Sequence, residues 1–307
     1  MPSGIMSFVE NDLGLTLYPV QRLILKLLYG EPLDPSTKFP LFGLDHSVIG
    51  EFTEVTYLKR AFDLGRCNIA EPTNVPFRES ALCLGRRSGK SILPILALAY
   101  ETTKMLTDTE TPQSKYHFSP SQKIHLRWVS SSKDQAMLCK EEMAGWIRNK
   151  SVLRDHLAAT SGSRFLFKRE DQDTASLVLQ FSSGEPRILR GFGFKVVVLD
   201  EIEYFDNGED TYNTASPSTC AFSPKVADHQ PIGPCEGKVI LISTPARTRG
   251  QLYRIFQYGL QRPTRGTLSF QAPTWEVNPS IPSLTEIRDR IGAELFELEF
   301  GAQFPRS

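Results

Sequence analysis

A glycine-rich octet, Leu84-Gly85-Arg86-Arg87-Ser88-Gly89-Lys90-Ser91, joins a short apolar run, Ser80-Ala81-Leu82-Cys83-Leu84, to a longer one from Ile92 to Tyr100. The first run reads as a buried strand and the second as a helix. Backbone N–H groups in such a turn, with the positive end of the following helix, form a cradle for phosphate oxygens. Lys90 is spaced to reach the outer phosphates, and the Ser91 hydroxyl to ligate Mg²⁺. The general spacing G-x-x-x-x-G-K-[ST] asks for a glycine at position 84, where this chain has Leu84 and the glycine arrives one residue later.

Two further strands carry matching chemistry. Lys195-Val196-Val197-Val198-Leu199 is continuously apolar after its lysine, as suits a strand covered on both faces of a parallel sheet, and it ends in Asp200-Glu201. Asp200 is the expected Mg²⁺ ligand, and Glu201 the residue that orients and deprotonates an attacking water. Lys238-Val239-Ile240-Leu241-Ile242 ends in Ser243-Thr244-Pro245, a hydroxyl pair able to touch a γ-phosphate or its water. Acids and hydroxyls at strand ends fall on the edge where a parallel sheet binds ligands. The fold class is therefore α/β, with a mainly parallel central sheet flanked by helices.

Length and composition fit this class: 307 residues, 40% hydrophobic and 23% charged, supply one large α/β domain or two small ones. A formal net charge of zero makes any nucleic-acid contact a local property. Cys67, Cys83, Cys139, Cys220 and Cys235 are scattered without a C-x-x-C pair, which argues for a reducing compartment and against a zinc site. The five histidines (His46, His117, His125, His156, His229) have no ligand spacing. No stretch has the length to span a bilayer, the start lacks a signal-peptide layout, and no repeat is visible.

Along the chain, residues 1–30 read as helical with a start at Tyr18-Pro19-Val20-Gln21, and 31–76 as loop-rich with short elements around 48–64. A strand is expected at 124–129 and a helix at about 133–150, with Trp128 and Trp146 in the core. Residues 164–168, 177–181 and 186–190 read as small antiparallel strands, and 206–237 as a long functional or mobile loop. A helix at 250–260, a strand at 267–271 and one amphipathic helix at 285–300 complete the reading.

Gly85-Arg86-Arg87-Ser88-Gly89-Lys90-Ser91 resembles, residue by residue, the variant phosphate loop of large terminase subunits, the motors that package double-stranded DNA in tailed phages and herpesviruses. Leu189-Arg190-Gly191-Phe192, Ser243-Thr244-Pro245, Tyr18-Pro19-Val20-Gln21 and Thr274 through Asn278-Pro279 resemble further motifs of that family, covering residues 17 to 304. The resemblance implies a RecA-like ATPase with a small lid: an N-terminal adenine-side segment at 1–76, a core at 77–260 and a lid with C-terminal helix at 261–307. It implies ATP and Mg²⁺ as cofactors, with Tyr18 and Gln21 at the adenine, Gly85, Arg87, Ser88, Gly89, Lys90 and Ser91 at the phosphates, and Ser91 and Asp200 at the metal. Glu201, Lys90 and Arg86 would be catalytic, with Ser243 and Thr244 sensing the γ-phosphate. A second arginine, from a neighbouring subunit, could be Arg164, Arg169, Arg187 or Arg190.

Expected partners are double-stranded DNA, a portal protein, a small terminase subunit and further copies in a ring, in the host cytoplasm at the procapsid portal. Basic clusters at Arg164-Lys168-Arg169, Arg187-Arg190-Lys195 and Arg247-Arg249-Arg254, with Phe165, Phe167, Phe192 and Phe194 nearby, are the candidates for DNA contact. Family members continue into a nuclease domain after a segment like 300–304, so this chain reads as the ATPase portion alone, without predicted nuclease activity. Alternative readings are another RecA-like motor, such as a helicase or partitioning ATPase, and a catalytically silent nucleotide-gated assembly module.

Overall fold

The computed structural model describes residues 4–149, 151–184, 186–225, 230–246, 250–263 and 266–305. A hairpin of β1 (Phe39–Phe42) and β2 (Val48–Phe52) stands apart from the main sheet. The main sheet contains β3 (Glu79–Leu84), β4 (Ile124–Ser130), β5 (Leu157–Ser161), β6 (Arg164–Phe167), β7 (Leu177–Ser183), β8 (Phe194–Asp200), β9 (Lys238–Ser243) and β10 (Thr267–Ala272). Their order is β10-β3-β9-β8-β4-β7-β6-β5. The sequence groups into two compact units, each built from separated segments: Met1–Gly14, Pro94–Asp200 and Tyr204–Ile240 in one; Leu15–Leu93, Glu201–Glu203 and Leu241–Ser307 in the other.

In the first unit β4 runs parallel to both β7 and β8. Every position of β8 is buried, as its unbroken apolar run required, and Trp128 on β4 is fully buried. The Lys133–Asn149 helix buries Ala136, Cys139, Met143, Trp146 and Ile147, a stripe at helical spacing. Lys195, fully buried on β8, donates to Tyr116 Oη at 3.0 Å and to a carboxylate oxygen of Glu236 at 3.0 Å, with Glu101 at 3.8 Å. Burial pushes the Lys195 ammonium down against the pull of Glu101 and Glu236. Burial would raise Glu236, but Lys195 and the Tyr116 hydroxyl hold it down to about 2.

In the second unit β3 runs parallel to β10. The Pro19–Tyr29 helix starts with proline in its first turn, buries Leu23, Ile24, Leu27 and Leu28, and ends at Gly30 with φ +67°. A Cβ at Gly30 would sit 2.6 Å from the Val75 backbone, so glycine is required there on two counts. Thr53 caps the Glu54–Asp63 helix by accepting from Thr56 N at 3.2 Å.

Several expected elements differ. Residues 186–189 form a 3₁₀ turn, not a strand, and β6 pairs with β5 as well as β7, β5 being a short exposed segment with no alternation of burial to mark it as a strand. β7 is antiparallel to β6 but parallel to β4. The expected loop at 206–237 contains a helix, Gly208–Ser218, whose turn-forming composition masks it. The single helix expected at 285–300 is two, Thr285–Ile291 and Ala293–Glu299, separated at Gly292 with φ +84°. All five cysteines are free thiols. No helix among the described residues is long and apolar enough to cross a membrane.

Candidate nucleotide site

The loop after β3 takes its shape from three places where side chains are excluded or the backbone turns left-handed. Leu84 is the last, fully buried residue of β3, so the position where a generic loop has glycine belongs to the core. At Gly85 a Cβ would lie 2.4 Å from Phe300 O and from Thr274 Oγ1, which explains why the glycine falls one residue later. Arg87 (φ +64°) and Gly89 (φ +77°) adopt left-handed conformations on either side of Ser88. Such alternation turns successive N–H groups inward into an anion-binding nest. Ser88 is fully buried, and its hydroxyl has no hydrogen-bond partner among the described residues. Ser91 directly precedes the Ile92–Thr107 helix.

Segments distant in sequence hold this loop. The Gln21 amide donates to Ser88 O at 3.0 Å, and its oxygen accepts from Tyr18 N at 3.2 Å. Gln21, expected at the adenine edge, thus also ties the Pro19–Tyr29 helix to the phosphate loop, with one donor and one lone pair of the amide still to offer. Tyr18 has 36% of its surface exposed. Thr274 Oγ1 donates to Arg86 O at 2.8 Å, Asn278 Nδ2 to Arg87 O at 3.0 Å, and Arg86 N to Glu299 O at 2.6 Å. The Arg86 guanidinium lies 3.6 Å from the Glu299 carboxylate with its side chain largely exposed.

Lys90, Glu201, Ser243 and Thr244 meet in the second unit. Lys90 Nζ pairs with Glu201 Oε1 at 2.8 Å and reaches Thr244 Oγ1 at 3.5 Å. Ser243 Oγ donates to Glu201 Oε2 at 2.6 Å, and Thr244 N approaches the same oxygen at 3.4 Å. Glu201 adopts φ +58°, a conformation a residue with a Cβ holds only when its surroundings demand it. Its N–H is fixed by Ile242 O at 2.8 Å. Two residues on, buried Glu203 accepts from Leu252 N at 2.7 Å and so caps the Gln251–Gln261 helix that follows the Ser243-Thr244-Pro245 turn.

Asp200 closes β8 in the first unit with only 4% of its surface exposed. Ser130 Oγ donates to Asp200 Oδ2 at 3.2 Å while accepting from Trp128 Nε1 at 2.7 Å. This Trp128–Ser130–Asp200 chain orients the carboxylate. Trp128 is thus both a core residue, as its strand position predicts, and a hydrogen-bond donor to the group that holds Asp200.

The basic clusters fare unequally. Arg169 is buried, pairs with Asp171 at 2.9 Å and donates to Met105 O at 2.6 Å and Asp108 O at 2.9 Å, so its guanidinium is engaged within the fold. Lys195 is likewise a core residue, and Phe165, Phe167 and Phe194 are buried. Arg164, Arg187, Arg190 and Phe192 are exposed. Arg247 and Arg249 lie outside the described residues.

Comparison with known proteins fits this geometry. A family model described as "Uncharacterized protein MJ0330, N-terminal P-loop domain" matches residues 68–289. The chain is similar in structure to the large terminase ATPase domain of Thermus phage P74-26, with TM-score 0.54 and 19% identity over 75% of this chain and 89% of that one. It is also similar to the HK97 bacteriophage large terminase, with TM-score 0.60 and 14% identity, covering 99% of this chain and 56% of that one. No curated protein matches. At these identities the likeness establishes the fold, and with its phosphate loop and family match the chain belongs to the MJ0330 N-terminal P-loop domain family and shares the fold of phage large terminase ATPase domains.

Proposed function

We propose that this chain hydrolyses ATP as the ATPase domain of a large terminase, and that the hydrolysis drives double-stranded DNA into a procapsid. The observation that carries the reading is the cluster of Lys90, Glu201 and Ser243. The phosphate-loop lysine, the acid after β8 and the hydroxyl that ends β9 meet within 2.8 Å and 2.6 Å contacts on Glu201. The fold shared with the Thermus phage P74-26 and HK97 proteins supports a packaging role over other uses of a P-loop.

In this reading ATP binds with its phosphates along Gly85–Ser91, Gln21 meets the adenine edge, and Tyr18 packs on the ring. The phosphates draw Lys90 from Glu201, because a triphosphate offers it more negative charge than one carboxylate. Glu201, freed from Lys90 but still held by Ser243, then orients the attacking water and takes its proton. Ser91 and Asp200 would hold Mg²⁺; the donor set is all oxygen, as a hard cation requires, and the ion would offset phosphate charge. Arg86 leaves Glu299 to meet the charge developing on the transferred phosphoryl group. An arginine finger of this kind is worth roughly 10³–10⁵ in rate. Exposed Arg164, Arg187 and Arg190 are the candidates for a finger donated to a neighbouring copy. Thr244 and Ser243 pass the state of the γ-phosphate to the Gln251–Gln261 helix, which Glu203 anchors beside Glu201. Portal protein, small terminase subunit and a homo-oligomeric ring at the procapsid in the host cytoplasm belong to the same proposal.

The test is ATPase rate per subunit against protein concentration, with and without double-stranded DNA and portal. A rate that climbs with concentration and with DNA supports a ring motor. Strand separation without any response to a portal would instead assign the chain to the helicases.

A further inference from the structure

We propose that the first unit carries a second ligand site, on one face of β4, β7 and β6, that takes a phosphorylated planar molecule with the chemistry of a nucleoside monophosphate. A cavity of about 420 Å³ opens there, lined by His125, Arg127, Arg164, Gln180, Ser182 and Phe192 together with Ser183. Its volume falls in the ordinary range of small-molecule pockets. The proposal does not depend on the ATPase reading.

Strand register places the polar groups. Arg127 on β4 and Arg164 on β6 are both partners of Gln180 on β7, so the three side chains form one row across a single sheet face. His125 and Ser182 lie two residues along their strands and share that face. With about 5 Å between adjacent strands, the two arginine backbones are about 10 Å apart, and their long side chains flank the space above Gln180. Phosphate suits two flanking guanidiniums, because its oxygens point in three dimensions, whereas the lone pairs of a carboxylate lie in one plane. Gln180 and Ser182 supply neutral hydrogen-bond groups between the cations.

The described lining contains two guanidiniums and an imidazole but no carboxylate. Arg127 lies over the Phe194 ring at 5.5 Å and approaches Ser182 Oγ at 3.5 Å. Burial, then Arg164, brings its guanidinium down to about 10. Burial, followed by Arg127, Arg164 and Lys123, brings His125 down to about 4, so the imidazole is neutral near pH 7. The surroundings thus disfavour added positive charge, as a site awaiting an anion does. Phe192 provides the platform for a planar ring: the residue is 46% exposed and its ring packs edge-on against His125 at 4.9 Å. Aromatic faces bind nucleobases without regard to identity.

The test titrates thymidine 5′-monophosphate into the whole chain with ADP saturating the nucleotide loop, by calorimetry. Binding should weaken by roughly tenfold or more in Arg164→Ala, the loss expected for one charge-assisted hydrogen bond, and again in Phe192→Ala. Both side chains are exposed, and unchanged melting of the variants verifies the fold. Thymidine without phosphate should not bind measurably. The proposal is overturned if dTMP fails to bind up to about 1 mM, or if thymidine binds as well as dTMP. It is equally overturned if both variants bind like the parent. A 5′-phosphorylated oligothymidylate run in parallel identifies the source: tighter binding than dTMP supports the site as one for strand ends, weaker binding as one for a free nucleotide.

Discussion

Two lysine–glutamate pairs in this molecule are chemically alike and differently built. Lys195 and Glu236 meet at 3.0 Å, and Lys195 also donates to Tyr116 Oη at 3.0 Å and Glu236 O at 3.1 Å. Its side chain is 2% exposed. Lys90 and Glu201 meet at 2.8 Å, with one long contact to Thr244 at 3.5 Å and side chains 11% and 16% exposed. All three ammonium hydrogens of Lys195 have acceptors inside the fold, whereas Lys90 keeps donor capacity and access for an incoming ligand. The first pair fixes structure. The second is an exchangeable one, in which a phosphate can take the place of the carboxylate. What separates them is the number of hydrogen bonds each lysine already makes, not the ion pair itself.

The largest effect that could break this comparison is on turnover. Glu201→Gln should lower the ATPase rate by about 10²–10⁴-fold while leaving nucleotide binding in place, and Lys90→Ala should lose both. Steady-state rates and equilibrium binding measured on the same preparations check this, and a Glu201→Gln enzyme with parental turnover would remove Glu201 from its role. Lys195→Met should do the reverse. Leaving Glu236 and Glu101 without their buried partner is expected to destabilise the fold by about 3–5 kcal/mol, with turnover per folded molecule unchanged. Denaturant melts paired with activity corrected for the folded fraction decide it, and a stable but inactive Lys195→Met protein would contradict the distinction.

A smaller effect sharpens it. Ser243→Ala removes the 2.6 Å hydrogen bond that holds Glu201 and should cut turnover by roughly tenfold, without the loss of ATP affinity seen in Lys90→Ala. The smallest effect concerns acid. Between pH 6.5 and 4 the folded chain keeps His125 neutral while the unfolded chain protonates it, so stability should fall as pH drops through that window. Glu236, held down to about 2 when folded, adds its own loss between about pH 4.5 and 2. Thermal melts should show a flatter upper window in His125→Asn and a flatter lower window in Glu236→Gln.

The parts of the fold legible in the sequence were those with strong local signals. Short runs rich in β-branched residues, such as Val196–Leu199 and Val239–Ile242, read as covered strands, and Pro19 and the glycine loop punctuate their helices on local steric grounds. Weak local signals misled. β5 is short and almost wholly exposed, with no alternation of burial, so its strand character comes from pairing with β6. The Gly208–Ser218 helix is built of turn-forming residues and has low intrinsic propensity. Gly292 divides a helix whose apolar pattern runs through it.

The order of loop, acids and hydroxyls along the chain is legible without a structure, because strand ends and phosphate loops are written in contiguous residues. Long-range packing turns Glu201 left-handed to meet Lys90 and makes Gly85 yield to Phe300 and Thr274. It also decided that Gln21, Asn278 and Glu299 hold the loop, that Ser130 aims Asp200, and that Arg169 and Lys195 belong to the interior. Those are contacts between residues far apart in the chain. Side-chain identity permits them, but only packing, which sets which groups lose their water together, selects among the possible partners.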